Sequence, residues 1–154
     1  MIVIATTGPV TQTGIVAEAN FAALRVPANV VGKNGLAEIR MLWSHTNSVN
    51  NKTLLVRWTT APGVITGNIV SFTLTVTANA TTQGVFLVEN NNTATGQYMA
   101  NTQMTAPYFI SAQTINTMFV DTTVDSYINI NGGVAAAGET LTLQHAAVVI
   151  FPGT

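Results

Sequence analysis

Two histidines, His45 and His145, and no cysteine are what 154 residues offer toward a zinc site of imidazole and thiolate ligands. A structural zinc site needs four such groups converging on one point, so these two cannot build one alone. By alternation His145 falls on the inward face of the last strand, where a lone histidine is ordinarily a hydrogen-bonded core residue. His45 opens the polar run Ser44-His45-Thr46-Asn47-Ser48, a place suited to an exposed contact, although a plain structural role is the commoner outcome. The carboxylates are Glu18, Glu38, Glu89, Asp121, Asp125 and Glu139. Two of them facing across a cleft would suit glycoside hydrolysis, but nothing in their spacing pairs them. Asp121 and Asp125 share a short loop that could help to hold calcium, yet it lacks the acid density and turn glycine of a defined calcium loop. There is no Gly-x-Ser-x-Gly, no phosphate-binding glycine loop and no His-Glu-x-x-His. The sequence therefore predicts no enzyme and no cofactor. Asn51-Lys52-Thr53, Asn79-Ala80-Thr81 and Asn91-Asn92-Thr93 match the glycosylation pattern, as chance allows in a chain so rich in Asn and Thr.

The elements that must position these groups are strands. Apolar and polar residues alternate along nearly the whole chain, and helical periodicity is scarce. Val70, Phe72, Leu74 and Val76 alternate with Ser71, Thr73, Thr75 and Thr77, which predicts a half-buried strand with a threonine-coated outer face. At the end of the chain Leu141, Leu143, His145, Ala147, Val149 and Phe151 alternate with Thr140, Thr142, Gln144, Ala146, Val148 and Ile150. Further strands are expected at 20–26, 36–44, 53–59, 83–89 and 124–131, with a long or broken one over 108–120. Lys33-Asn34-Gly35, Ala61-Pro62-Gly63, Asn90-Asn91-Asn92 and Asn131-Gly132-Gly133 read as the turns between them. About eight strands without intervening helices predict an all-β fold, an antiparallel β-sandwich of jelly-roll-like kind.

One register is suggested by the sequence. Pairing 36–44 with 53–59 as a hairpin, Arg40 opposite Arg57, sets Ile39 against Trp58, Met41 against Val56 and Trp43 against Leu54. One face is then wholly apolar, and the other gathers Glu38, Arg40 and Arg57. Residues 6–14 and 90–106 read as irregular. Residues 1–14 are expected to form an N-terminal arm and 15–154 a single β-sandwich domain. The arm begins with the apolar Met1, Ile2, Val3 and Ile4, which should dock on a neighbour or on the domain's own edge strand.

Composition limits the partners. Five basic and six acidic residues give a formal net charge of −1, so no basic field attracts nucleic acid. The apolar fraction of 47% is interleaved with Thr and Asn, and no run approaches the roughly 18 to 20 apolar residues of a membrane-spanning helix. No secretory signal is recognised at the start of the chain. So few charges weaken the repulsion that keeps copies apart, which predicts a surface covered by other subunits. Met104, Tyr108 and Phe109 lie in the best candidate for an exposed adhesive patch, with ordinary core packing of Phe109 as the alternative, and with Met1, Ile2, Val3 and Ile4 they make up the expected partner interface.

The block Arg25-Val26-Pro27-Ala28-Asn29, then Gly35-Leu36-Ala37-Glu38-Ile39-Arg40-Met41-Leu42-Trp43-Ser44-His45-Thr46-Asn47 and Asn50-Asn51-Lys52-Thr53-Leu54-Leu55-Val56-Arg57, resembles small β-rich virion proteins of tailed bacteriophages. The closing Glu139-Thr140-Leu141-Thr142-Leu143-Gln144 is similar to them as well. The resemblance implies a virion subunit assembled in the host cytoplasm, often trimeric, and it transfers no catalytic residue. A capsid decoration (cement) protein on the capsid surface is the first expectation, with itself as a homotrimer and the major capsid protein as partners. The alternative is a tail-fibre or spike module that binds host-surface glycans.

Overall fold

A computed structural model of the chain describes residues 1–6, 8–67, 70–75, 80–100 and 115–154, with the side chains of 70–75, 100, 115 and 116 excepted. The described residues form eleven strands: β1 (Ile2–Ala5), β2 (Val10–Thr13), β3 (Ala19–Val26), β4 (Leu36–His45), β5 (Asn51–Thr59), β6 (Val70–Thr75), β7 (Thr81–Asn90), β8 (Gln97–Ala100), β9 (Ile115–Met118), β10 (Ser126–Val134) and β11 (Thr140–Phe151). They build two sheets. A seven-stranded sheet runs β1-β11-β4-β7-β8-β9 with β2 also on β11, and a four-stranded sheet runs β3-β10-β5-β6. Every pairing is antiparallel. The result is the expected antiparallel sandwich of jelly-roll kind. It has three more strands than the alternation suggested, because β1, β2 and β8 are only four residues long, β1 in the expected arm and β2 and β8 in segments that read as irregular.

The core lies between the sheets and is made by the inward half of each alternation. Ile39, Met41 and Trp43 of β4, Leu54, Val56 and Trp58 of β5, Ile128 and Ile130 of β10, and Leu141 and Leu143 of β11 are all buried in it. The Phe21 ring meets Trp43 edge-on at 5.0 Å, a favoured aromatic arrangement. Trp58 donates its indole N–H to Ser126 Oγ at 2.9 Å, so the polar atom of this buried ring is satisfied.

The expected hairpin between 36–44 and 53–59 does not form. β4 lies between β11 and β7, while β5 lies between β10 and β6 in the other sheet. Arg40 is therefore opposite Ala147 and Val85, and Arg57 is opposite Asn129. The cause is the connection after β4. Thr46 N donates to Thr140 O at 3.0 Å, and Thr140 N donates to Thr46 Oγ1 at 2.8 Å, so the chain is pinned to the start of β11 and arches across to the second sheet. The face assignment survives, since alternation hides the same six residues whether their partner lies beside them or across the core.

His145 is exposed, not inward. Both Gln144 and His145 stand opposite Leu42, a β-bulge that shifts the phase of the strand. Leu141 and Leu143 point inward before it, and Ala146, Val148 and Ile150 after it. Asn131-Gly132-Gly133 is no turn but part of β10. A Cβ on Gly132 would come within 2.6 Å of Leu141 Cδ2, so the strand needs glycine there for a close approach. Residues 6–14 contain β2, and 90–106 contain β8.

Candidate binding surface

The two sheets differ in how their outer faces are finished. Over the small sheet, Asn129 and Asn131 are fully buried beneath residues 61–67. Asn129 accepts from Gly63 N at 2.6 Å and donates to Ala61 O, and Asn131 donates to Val64 O at 3.0 Å and to Glu18 Oε1 at 2.6 Å. Arg57 forks onto both oxygens of Glu18 at 2.6 Å and reaches Gly67 O at 3.1 Å. The Arg57 guanidinium holds the Glu18 carboxyl below its ordinary range, against the opposing effect of burial. This face is roofed by its own loop.

The outer face of the seven-stranded sheet is exposed at Thr11, Thr13, Thr81 and Gln83, whereas Thr142, Ala147 and Val149 of β11 are buried between their neighbours. Its register lines up Thr11, Thr142, Ser44 and Thr81 in a row across β2, β11, β4 and β7. At about 4.8 Å between strands, four hydroxyls span about 15 Å. Thr13 and Thr140 form a second, shorter row. The hydroxyls of Thr11 and Thr142 are 2.9 Å apart, as are those of Thr13 and Thr140, and Gln144 donates to Ser44 Oγ at 2.7 Å. Gln83 adds an exposed amide on β7. Thr-x-Thr spacing on β2 and β11 creates this surface, with Leu141 and Leu143 turned inward between the threonines. No charged side chain stands in either row.

The other half of the face mixes exposed apolar side chains with Glu38, Arg40 and Glu89. Val3, Val149, Glu38 and Leu87 make one row, and Phe151, Leu36, Glu89 and Tyr98 the next. Val3 is 59% exposed, Leu87 48%, Tyr98 43% and Phe151 41%, with Leu42 at 43% between the two halves. The Glu38 carboxylate is paired with Arg40 on the same strand.

The remaining ionisable groups serve the scaffold. Asp125 pairs with Arg25 at 2.7 Å and accepts from Ala28 N, and Asp121 accepts from Thr123 N and its hydroxyl. These contacts keep both carboxyls below their ordinary values. At one end of the sandwich Lys52 donates to Glu139 Oε1, Ser48 Oγ and Asn50 O. Burial alone would raise the Glu139 carboxyl, but its bonds from Lys52, Ser48 and Asn50 outweigh that and hold it low. His45 is buried beside this cluster, not exposed, with Nε2 3.1 Å from Thr82 Oγ1. Burial pushes its pKa down, and the nearby Lys52 charge adds to the effect. Among the described residues no three of His, Cys, Asp and Glu gather where a metal ion could sit.

Of the residues expected at a partner interface, Met1, Ile2, Val3 and Ile4 lie on the edge strand β1, with Met1 and Val3 strongly exposed and Ile4 packed against the core. Met104, Tyr108 and Phe109 lie outside the described residues, as do the side chains of the alternation expected at 70–77. The hydroxyl rows were not foreseen. Their signal was present in the Thr-x-Thr spacing, but which strands would stand side by side was not.

No protein-family profile matches the chain, and no curated protein matches it. Several solved structures align with the chain at a distance. The basic winged bean lectin with Tn-antigen aligns over 99% of both chains at 11% identity and a TM-score of 0.42. Lectin II from Ulex europaeus covers 97% of this chain and 98% of its own, at 9% identity and 0.41. The CBM2 module of the Lactobacillus casei BL23 phage J-1 evolved Dit covers 93% and 90%, at 9% and 0.39. Likeness of this size does not carry over a ligand or a role.

Proposed function

We propose that this chain is a non-catalytic, glycan-binding module of a virion surface, the alternative raised by the sequence. The observation that carries the reading is the charge-free row Thr11, Thr142, Ser44 and Thr81 on the outer sheet face, exposed at Thr11 and Thr81. A hydroxyl both donates and accepts, so such a row suits a neutral polyhydroxylated ligand whose own hydroxyls do the same. Four of the six carboxylates are engaged with Arg or Lys of the scaffold, which argues for holding a sugar rather than cleaving it. The virion setting rests on the phage-like blocks quoted above.

The test is a screen of the isolated protein against neutral oligosaccharides, followed by calorimetric titration of the best ligand. Binding should change little with salt and weaken at least about tenfold, or ~1.4 kcal/mol, in Ser44→Ala combined with Thr142→Val. Failure to bind any neutral glycan overturns the reading.

A second reading, the capsid decoration protein, is favoured by a different observation: the half-face of Val3, Leu87, Phe151 and Tyr98 offers apolar area to a protein neighbour. On that reading the chain forms homotrimers and clamps the major capsid protein. A copy number per particle on the scale of the shell's own subunits, with no glycan binding, would select it.

A further inference from the structure

We infer that the edge strand β1 is a self-pairing edge: two copies of the chain join antiparallel through it, about a two-fold axis passing at Val3. Among the described residues β1 has a ladder partner on one side only, β11, and stands at the rim of the seven-stranded sheet. Exposed edges are templates for further pairing, and proteins ordinarily blunt them with charge, proline or a bulge. One rim strand of the small sheet, β3, is blunted in this way, since it carries the exposed Arg25, which is paired with Asp125. β1 carries none of these devices. Residues 1–5 contain no charged side chain and no proline, their pairing to β11 is unbroken, and Met1 is 80% and Val3 59% exposed.

The alternation of β1 selects the register. Residues directly opposite in an antiparallel pair share a face of the sheet. Ile2 and Ile4 belong with the inward-facing Ile150 and Val148, whereas Val3 and Ala5 belong with Val149 and Ala147 on the outer face. A two-fold axis at Val3 satisfies this parity, placing Val3 opposite Val3 of the copy, Ile2 opposite Ile4 and Met1 opposite Ala5. The outer face then gains an unbroken row Val149, Val3, Val3, Val149. The inner face gains Ile150, Ile2, Ile4, Val148 and its symmetry mate. Each row is made of β-branched residues, the cross-strand pairing that sheets favour. A net charge of −1 leaves little to oppose two copies meeting. The arrangement is isologous and closes as a pair, unlike the trimer implied by the phage resemblance.

The test exploits the self-contact at the axis. Sedimentation velocity of the native chain across the micromolar range should show a dimer. Val3→Lys and Val3→Glu should each sediment as monomers, because each places two like charges face to face, and an equimolar mixture of the two should recover the dimer. Amide exchange of residues 2–5 in the native chain should slow as concentration rises. A native chain that stays monomeric, charge variants that both stay dimeric, a mixture that fails to associate, or concentration-independent exchange each overturns the inference.

Discussion

Lys52 Nζ lies 2.8 Å from Glu139 Oε1 with both side chains out of bulk solvent, at 0% and 5% exposure. Lys52 is the second residue of β5 in the small sheet, and Glu139 precedes β11 in the large one. The pair therefore ties the two sheets at one end of the sandwich, with Ser48 and Asn50 of the crossing loop bonded to the same carboxylate oxygen. Among the described residues Glu139 Oε2 has no hydrogen-bond partner, so the carboxylate depends heavily on the lysine.

Removing one partner should thus cost more than removing both. Lys52→Met is expected to destabilise the fold by about 3–5 kcal/mol, because Glu139 is left as an uncompensated buried charge. Adding Glu139→Leu should recover more than half of that loss. Urea unfolding of the two variants and of Glu139→Leu alone measures the coupling. Simple additivity would show that the pair does not stabilise as a unit.

Acidification should weaken the fold in two stages. His45 has a folded pKa below its ordinary 6.5, so the unfolded chain takes up its proton first and stability declines as pH falls below that value. Glu139 and Glu18 also have folded values below their ordinary 4.5. Their contribution is complete above that pH and is lost as pH drops through the folded values. Melting temperature against pH should show both stages, and His45→Gln should abolish the first. A single stage in the native protein would mean that His45 takes up its proton as readily folded as unfolded.

Trp58 is 1% exposed, with its indole N–H bonded to Ser126. Trp58→Ala should cost about 3–5 kcal/mol through the cavity it leaves. Ser126→Ala should cost about 1–3 kcal/mol by leaving a buried donor unpaired. Equilibrium unfolding reads both, and a negligible loss for either would contradict the burial of this ring.

The bulge at Gln144 makes a directional prediction about deletions. Removing Gln144 leaves Leu143 inward, His145 outward and Ala146 inward, so regular alternation is restored and a cooperatively folded protein is expected. Removing Ala147 instead inverts Val148 and Ile150 relative to the core and should abolish cooperative unfolding. Thermal melts of the two single-residue deletions decide it, and equal tolerance of both would refute the account.

The strands that could be read from sequence are those with long alternation, such as β4 and β11, because one face of each must be apolar to enter a core. The short β1, β2 and β8 carry too few residues for a period to stand out. They are strands because longer neighbours offer them a ladder. His145 was misplaced because a bulge inserts one residue without any local signal, which defeats a count by twos. In the candidate binding surface, Thr140 and Thr142 are legible as outward residues of the last strand, but Thr11 and Thr13 are not, because they lie in a segment that reads as irregular.

The sequence alone determined that this protein is a sandwich of strands with very few charges, and which side of most long strands is hidden. Those properties depend on each residue's own type and on its parity along the strand. Only the tertiary structure decided which strands lie side by side, that β4 and β5 belong to opposite sheets, and that Lys52 meets Glu139. Pairing is chosen by loop paths such as the crossing pinned at Thr46 and by contacts between residues far apart in the chain, and an alternating pattern is the same whichever neighbour it meets.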